Sequence, residues 1–184
     1  GGFCEGFRKS GIETAWAIDN DERVEKTYSM NHPAGRFIRA DVTEIKACKA
    51  NQTLLEPVDV LHAGFPCQSF SMAGQKKGFN DPRGRLFFEL TRIIEEFGNS
   101  KPPVLVFENS PFLQIGERGE WFKRVRTEIQ KLGYWFKDNN AILLDPQEHL
   151  GVPQNRPRLF MIALNRKYFR SGRFTVELTS TPNI

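Results

Sequence analysis

Six short apolar runs alternate with stretches of helical periodicity, and no other feature restricts the folds open to this chain as strongly. "TAWAID" (14–19), "RFIRAD" (36–41), "VDVLHAGF" (58–65), "PVLVFEN" (103–109), "AILL" (141–144) and "RLFMIAL" (158–164) read as strands. "DERVEKTYSMNH" (21–32) reads as a helix with Val24, Thr27, Tyr28 and Met30 on its inner face, and a polar helix is expected from about Thr43. "GRLFFELTRIIEEFG" (84–98) repeats Leu86, Leu90, Ile93, Ile94 and Phe97 at helical spacing. "EWFKRVRTEIQKLG" (120–133) is a helix closed by a glycine. Apolar strands joined through helices form parallel sheets covered on both faces. The expected fold class is therefore α/β, a doubly wound and mostly parallel sheet. In such sheets ligands bind at the carboxyl ends of the strands.

The bulk numbers fit one ordinary domain. The chain has 184 residues, enough for a sizeable core, and its 39% hydrophobic content is that of a globular protein. No apolar run approaches the roughly 18 residues of a membrane helix, and the start carries no secretory pattern. A cytoplasmic protein with no membrane partner is expected. The three cysteines, Cys4, Cys48 and Cys67, are odd in number and far apart. That argues against a disulfide framework and against a metal site. The formal charge of +4 hints at an anionic partner. The chain opens on "GGFCEGF" without a strand before it and closes on "STPNI" without a finishing helix. Both ends are expected to be cuts through something larger.

The residues at the strand ends are polar, special or reactive. Gly1–Gly2–Phe3 opens a helix where backbone N–H groups can meet a ligand, or is a plain turn. Asp19 ends a strand at the place where nucleotide-binding α/β folds accept ribose hydroxyls, while Asp19, Asn20 and Asp21 all suit a helix cap. Asp41 is equally suited to hold a nucleobase amino group or to cap the helix expected from Thr43. Cys67 follows a strand and an X-Pro bond that biases Phe65 towards extended backbone. A thiolate there is a strong nucleophile once its proton is removed. Cys4 and Cys48 lie in helical contexts and read as packing.

The connection from about Gln68 to Arg83 is long for a compact domain, as lids and binding loops are. Gly74, Gly78 and Gly84 permit hinge motion. Ser69, Ser71, Lys76, Lys77 and Arg83 suit phosphate oxygens. Glu108 and Asn109 follow an apolar strand, where partial desolvation moves a carboxylate towards useful proton chemistry. In "PQNRPRLF", Gln154, Arg156 and Arg158 alternate into a strand and are expected to share a face.

Together these residues resemble the DNA cytosine-5 methyltransferases of bacterial type that use S-adenosylmethionine. "GFPCQSFSMAG" is similar to the family's catalytic-loop motif, "FEN" to its acidic motif and "QNRPR" to its Gln-x-Arg-x-Arg motif. The lid "KKGFNDPRGRLFF" is similar nearly throughout. The resemblance implies a Rossmann-like methyltransferase fold, incomplete at both ends, with residues 1–184 forming one catalytic domain. The first strand, the target-recognition domain and the late motifs are expected to be absent from it.

The resemblance further implies that Cys67 attacks C6 of a cytosine flipped out of double-stranded DNA. Glu108 would bond N3 and the exocyclic amino group, Arg158 the O2 edge, and Arg156 would support the site. Gly2, Phe3, Asp19, Asn20, Asp41, Val42, Phe65, Pro66 and Leu86 would contact S-adenosylmethionine, released as S-adenosylhomocysteine. Gln68, Ser69, Ser71, Lys76, Lys77 and Arg83 would face DNA, and closure of the lid would exclude water. A second chain or the missing segments would supply target recognition, in a bacterial, nucleoid-associated setting. Ser110 departs from the family's valine after Glu-Asn.

Other readings stand beside this one. A thiol hydrolase could pair Cys67 with His32, His62 or His149, but it leaves Asp19, Glu108 and the arginines without a role. A non-catalytic nucleic-acid-binding relative, half of a split enzyme, or an enzyme acting on RNA cytosine are the alternatives within the resemblance.

Overall fold

The computed structural model describes residues 1–49, 52–66 and 82–176; at residues 48, 49, 52, 53, 82 and 83 only the backbone is described. Two compact units emerge, one from residues 1–58 and 92–101, the other from residues 59–91 and 102–184.

The first unit is built on a β-α-β element. Helix α1 (Gly2–Lys9) precedes strand β1 (Trp16–Asp19), helix α2 (Glu22–Asn31) and strand β2 (Arg36–Arg39). The strands pair in parallel, with Ala17 opposite Phe37 and Asp19 opposite Arg39. Parallel pairing requires a crossover, and α2 supplies it. Asp21 caps α2, its carboxylate accepting the Arg23 N–H at 2.9 Å. Of the inner-face residues expected on α2, only Tyr28 is buried, packed on Phe37 with centroids 5.3 Å apart. Thr27, Val24 and Met30 are exposed, Met30 at 74%. The apolar stripe of α2 is thus one residue wide.

The helix expected from Thr43 is instead a turn over residues 42–44. The Asp41 carboxylate accepts the Thr43 N–H and hydroxyl at 2.9 and 2.7 Å, a local alternative to helical bonding. Arg92 takes the carbonyls of Val42 and Ile45, which a helix would have used as acceptors. Cys48 likewise falls in a strand and not in a helix. β3 (Cys48–Lys49) pairs antiparallel with β4 (Gln52–Thr53).

The second unit holds a five-stranded sheet. β5 (Val60–Gly64) pairs in parallel with β6 (Val104–Asn109), and helix α3 (Pro82–Glu96) lies between them in sequence. β9 (Arg158–Asn165) runs antiparallel to β6. Its other edge pairs antiparallel with β7 (Tyr134–Trp135) at one end and β8 (Ala141–Leu144) at the other. Parallel pairs therefore occur where a helix crosses over. Antiparallel pairs occur in the C-terminal run, where β7 and β8 both pair with β9.

Three short helices complete the order. α4 (Phe112–Ile115) and α5 (Glu120–Lys131) follow β6, and α6 (Pro146–Leu150) follows β8. One sheet face is mostly apolar. Leu105, Phe107, Leu159, Met161 and Ala163 are completely buried on it. Phe87 of α3, itself at 0% exposure, packs against Phe65 and Phe107 with centroids 5.2 and 6.2 Å away. On α5 the buried residues are Phe122, Val125 and Ile129, an i, i+3, i+7 stripe. Among the described residues no helix is long and apolar enough to cross a membrane.

Candidate active site

In the second unit the sheet itself assembles the charged pair. β5 and β6 are parallel, so Gly64 lies opposite Glu108 at their carboxyl ends. β9 is antiparallel, so its first residues meet the same end of β6, with Phe160 opposite Glu108 and Leu159 opposite Asn109. Arg158, the first residue of β9, thereby reaches Glu108, and its Nε lies 2.9 Å from Oε1. Both side chains are three-quarters or more buried, at 20% and 25% exposure. In such a setting a carboxylate needs its cation, so each group fixes the other. Arg158 also donates from Nη1 to the Pro157 carbonyl at 2.9 Å, which orients its guanidinium fork. A Cβ built on Gly64 would sit 3.4 Å from Glu108 Oε2, which puts the two strand ends side by side.

Asn109 ties this end of the sheet to the segment that follows β5. It is buried at 2% exposure. Its Nδ2 donates to the Phe65 carbonyl at 3.1 Å, and its Oδ1 accepts the Ser110 N–H at 2.8 Å. The second bond fixes which way the amide faces. Phe65 is buried at 4% and Pro66 half-buried. Ser110, where the resemblance expects valine, accepts the Phe112 N–H with its hydroxyl at 3.3 Å at the start of α4. The departure has a local use, satisfying a donor that valine could not.

The other candidate residues are placed as follows. Gln154 and Arg156 do not share a strand face with Arg158. They are exposed in the irregular segment 151–157, before β9 begins. Pro153 and Pro157 lack the N–H that a strand there would need. Leu86 is half-buried on α3. Cys67, Gln68, Ser69, Ser71, Lys76 and Lys77 lie outside the described residues, as do Gly74 and Gly78. Arg83 is in the first turn of α3, with its side chain likewise outside them.

In the first unit, Asp19 and Asp41 stand at the carboxyl ends of β1 and β2. Asp19 Oδ1 accepts the Asp21 N–H at 2.9 Å, which leaves Oδ2 to the exposed side. Asp41 spends Oδ1 on Thr43, and its Oδ2 accepts from Asn20 Nδ2 at 3.4 Å. The Thr43 backbone N–H, more than any other contact, holds the Asp41 carboxyl below its usual range. Each aspartate therefore braces the backbone that follows its strand. α1 begins at Gly2, where a Cβ would meet nothing within 4 Å, whereas one on Gly1, the cap before it, would come within 2.7 Å of His32 Nε2. Phe3 and Val42 are half-buried. Carboxylates for hydroxyl and amino donors, in the same unit as a helix N-terminus, form a donor set that suits a nucleoside with a charged tail.

The three histidines are each engaged in the framework. His32 ends α2 and stacks on Tyr28 at 4.7 Å. His149 Nδ1 lies 2.8 Å from the Asp145 carbonyl oxygen. His62 sits within β5, and burial pushes its pKa down to about 4. Such an imidazole resists taking a proton at neutral pH, as a thiol hydrolase would require of it.

Two further polar side chains lie on α3. Arg92 and Glu96, one turn apart on α3, form an ion pair at 2.6 Å. An arginine–glutamate pair at i, i+4 within an apolar helix is the signal that points to them.

Known proteins are similar to this chain over nearly its whole length. The profile of the C-5 cytosine-specific DNA methylase family matches residues 1–183. The Type II methyltransferase M.SsoII of Shigella sonnei is 34% identical over 172 residues, which cover 93% of this chain and 42% of that protein. The Type II methyltransferase M.HhaI of Haemophilus parahaemolyticus is 34% identical over 162 residues, covering 88% of this chain and 45% of that protein. The solved structure of the Entamoeba histolytica methyltransferase EhMeth superposes with a TM-score of 0.67 at 21% identity, over 94% of this chain and 49% of that one. The chain thus spans less than half the length of these relatives. The superposition establishes the Rossmann-like α/β fold.

Proposed function

Since the chain belongs to the C-5 cytosine-specific DNA methylase family, we propose that it is the catalytic core of an enzyme methylating C5 of cytosine in double-stranded DNA. The observation that carries this reading is the Glu108–Arg158 pair, 2.9 Å apart at the strand ends. It lies beside the Phe65 segment that leads in sequence to Cys67. A carboxylate and a guanidinium set side by side before substrate arrives can meet the donor and acceptor edge of a pyrimidine without reorganising.

In this reading Cys67 Sγ adds as a thiolate to C6 of a cytosine turned out of the duplex, and the C5–C6 π electrons shift to C5. Glu108 bonds N3 and the exocyclic amino group, and Arg158 holds the O2 edge. The Arg158 guanidinium offsets the negative charge that develops in the ring. S-adenosylmethionine supplies the electrophilic methyl group that C5 takes up. A base then removes the C5 proton, the electron pair restores the C5–C6 double bond, and the thiolate leaves.

The donor set of the first unit fits that cofactor. Asp19 would take ribose hydroxyls and Asp41 the adenine amino group, with Asn20 and Val42 beside them. The N–H groups of Gly2 and Phe3 would face the anionic end. Phe65, Pro66 and Leu86 are further cofactor contacts on the family resemblance, as are Gln68, Ser69, Ser71, Lys76, Lys77 and Arg83 for DNA. Arg156 supports the catalytic pair. Residues beyond this chain, or a second chain, choose the target sequence.

A covalent trap tests the reading. The complete protein is incubated with S-adenosylmethionine and duplex DNA carrying 5-fluorocytosine, beside its Cys67→Ser variant. Fluorine at C5 cannot leave as a proton does, so the cycle stalls with protein attached to DNA. A denaturant-resistant adduct that needs both cofactor and Cys67 is expected by intact mass. DNA binding without any adduct would sink the proposal and favour a non-catalytic binding protein. An adduct with RNA alone would move the substrate.

A further inference from the structure

The turn that carries Asp41 and Val42 is held from one side by a single ion pair. Arg92 Nη2 donates to the Val42 carbonyl at 3.2 Å and to the Ile45 carbonyl at 2.8 Å. Its Nη1 donates to Glu96 Oε1 at 2.6 Å. Glu96 Oε2 accepts the N–H of Ala47, a residue 1% exposed, at 2.9 Å. So two side chains, both on α3, fix three backbone groups between residues 42 and 47. The turn has no helix or sheet ladder of its own over residues 42–46. From within, the Asp41 carboxylate braces it through Thr43, and the Asp41 carbonyl accepts the Glu44 N–H at 2.9 Å.

We infer that Arg92 and Glu96 are positioning residues for the cofactor, holding the Asp41–Val42 turn in its binding shape. The inference rests on the proposed reading of Asp41 as an S-adenosylmethionine contact. Its physical basis is the geometry of the guanidinium. A planar fork reaches two carbonyls and a carboxylate at once, which the compact lysine ammonium cannot do in the same directions. An apolar pair at these two α3 positions would take these partners from the three backbone groups, so the pair also adds stability, and binding and melting must be read together.

The test measures binding of S-adenosylhomocysteine and of DNA by calorimetry, with melting temperature, on the full-length protein and on Arg92→Lys, Arg92→Met and Glu96→Gln. Arg92→Met is expected to weaken S-adenosylhomocysteine about tenfold or more, a factor of ten for each ~1.4 kcal/mol of lost preorganisation. Arg92→Lys and Glu96→Gln fall between it and the parent. DNA affinity, and turnover at saturating cofactor, stay within about twofold, because binding lost equally from ground and transition states raises KM and spares kcat. Unchanged S-adenosylhomocysteine affinity in Arg92→Met would overturn the inference. So would equal losses of cofactor and DNA affinity that track a falling melting temperature in all three variants, which would make the pair a stability element. Asp41→Ala separates this from the underlying reading. If it too leaves S-adenosylhomocysteine affinity unchanged, the assignment of the turn to the cofactor fails. If it weakens binding while the Arg92 and Glu96 variants do not, only the positioning inference fails.

Discussion

Asn109 offers a perturbation whose size can be worked out from two hydrogen bonds. Its amide donates to the Phe65 carbonyl and accepts the Ser110 N–H, and all three residues are buried, at 2%, 4% and 7% exposure. Asn109→Ala orphans one carbonyl and one N–H away from water. Each costs about 1–3 kcal/mol, so the variant loses roughly 2–6 kcal/mol. Asn109→Asp divides the two contributions. The introduced carboxylate still accepts from Ser110 but sets a second oxygen against the Phe65 carbonyl. Burial and that carbonyl both disfavour the charged form, so the carboxyl's folded pKa rises above its unfolded value. The destabilisation is then largest above the folded pKa and shrinks as pH falls through it, when a protonated carboxyl can donate to Phe65. Urea unfolding of parent and variants at pH 8 and pH 5.5, compared at equal pH, cancels the other titrating groups. A deficit in Asn109→Asp that is the same at both pH values, or below about 1 kcal/mol, would refute the bridging role.

Three further outcomes are expected. His62 has its pKa lowered from 6.5 to about 4, so the unfolded chain takes the proton first. The parent should lose up to about 3 kcal/mol as pH falls from 6.5 towards 4, a loss that His62→Gln lacks in urea melts across that range. Arg158→Ala removes the cation from a mostly buried Glu108. It should lower kcat/KM for DNA methylation about 10²-fold or more in steady-state assays, with S-adenosylhomocysteine affinity retained. Phe87→Ala empties the space between Phe65 and Phe107 and should cost about 3–5 kcal/mol by chemical denaturation.

The strands were legible because their apolar runs exceed what turns tolerate, and α3 and α5 because their stripes repeat at helical spacing. The misread elements share a physical cause: a polar side chain redirected the backbone. At Thr43 the composition suits a helix, yet Asp41 and Arg92 capture the groups that a helix would use. Arg92 lies 50 and 47 residues from the carbonyls it takes, and no local pattern announces its reach. α6 could have been read. Asp145 caps it through the Gln147 N–H, Pro146 opens it, and Gly151 closes it at φ +65°. Its short length hid it. The exposed face of α2 shows the opposite failure, where apolar residues at helical spacing do not meet a partner among the described residues.

The candidate site was legible as chemistry but not as geometry. Glu108 and Arg158 could each be marked as unusual from their flanking strands, yet nothing local says that they touch. Their contact follows from the direction of β9. Were β9 parallel to β6, its first residue would lie at the amino end of that strand, far from Glu108. Because it is antiparallel, Leu159 falls opposite Asn109 and Arg158 just beyond it, level with the end of the strand. The same reversal strands Gln154 and Arg156 outside the sheet, since a ladder that begins at Arg158 cannot extend back through Pro157. Arg156 then acts from the irregular segment before β9, whereas Arg158 is fixed by the register. Substitutions at the two arginines should therefore separate: the fixed one acting on the chemical step, the exposed one on how substrate is received.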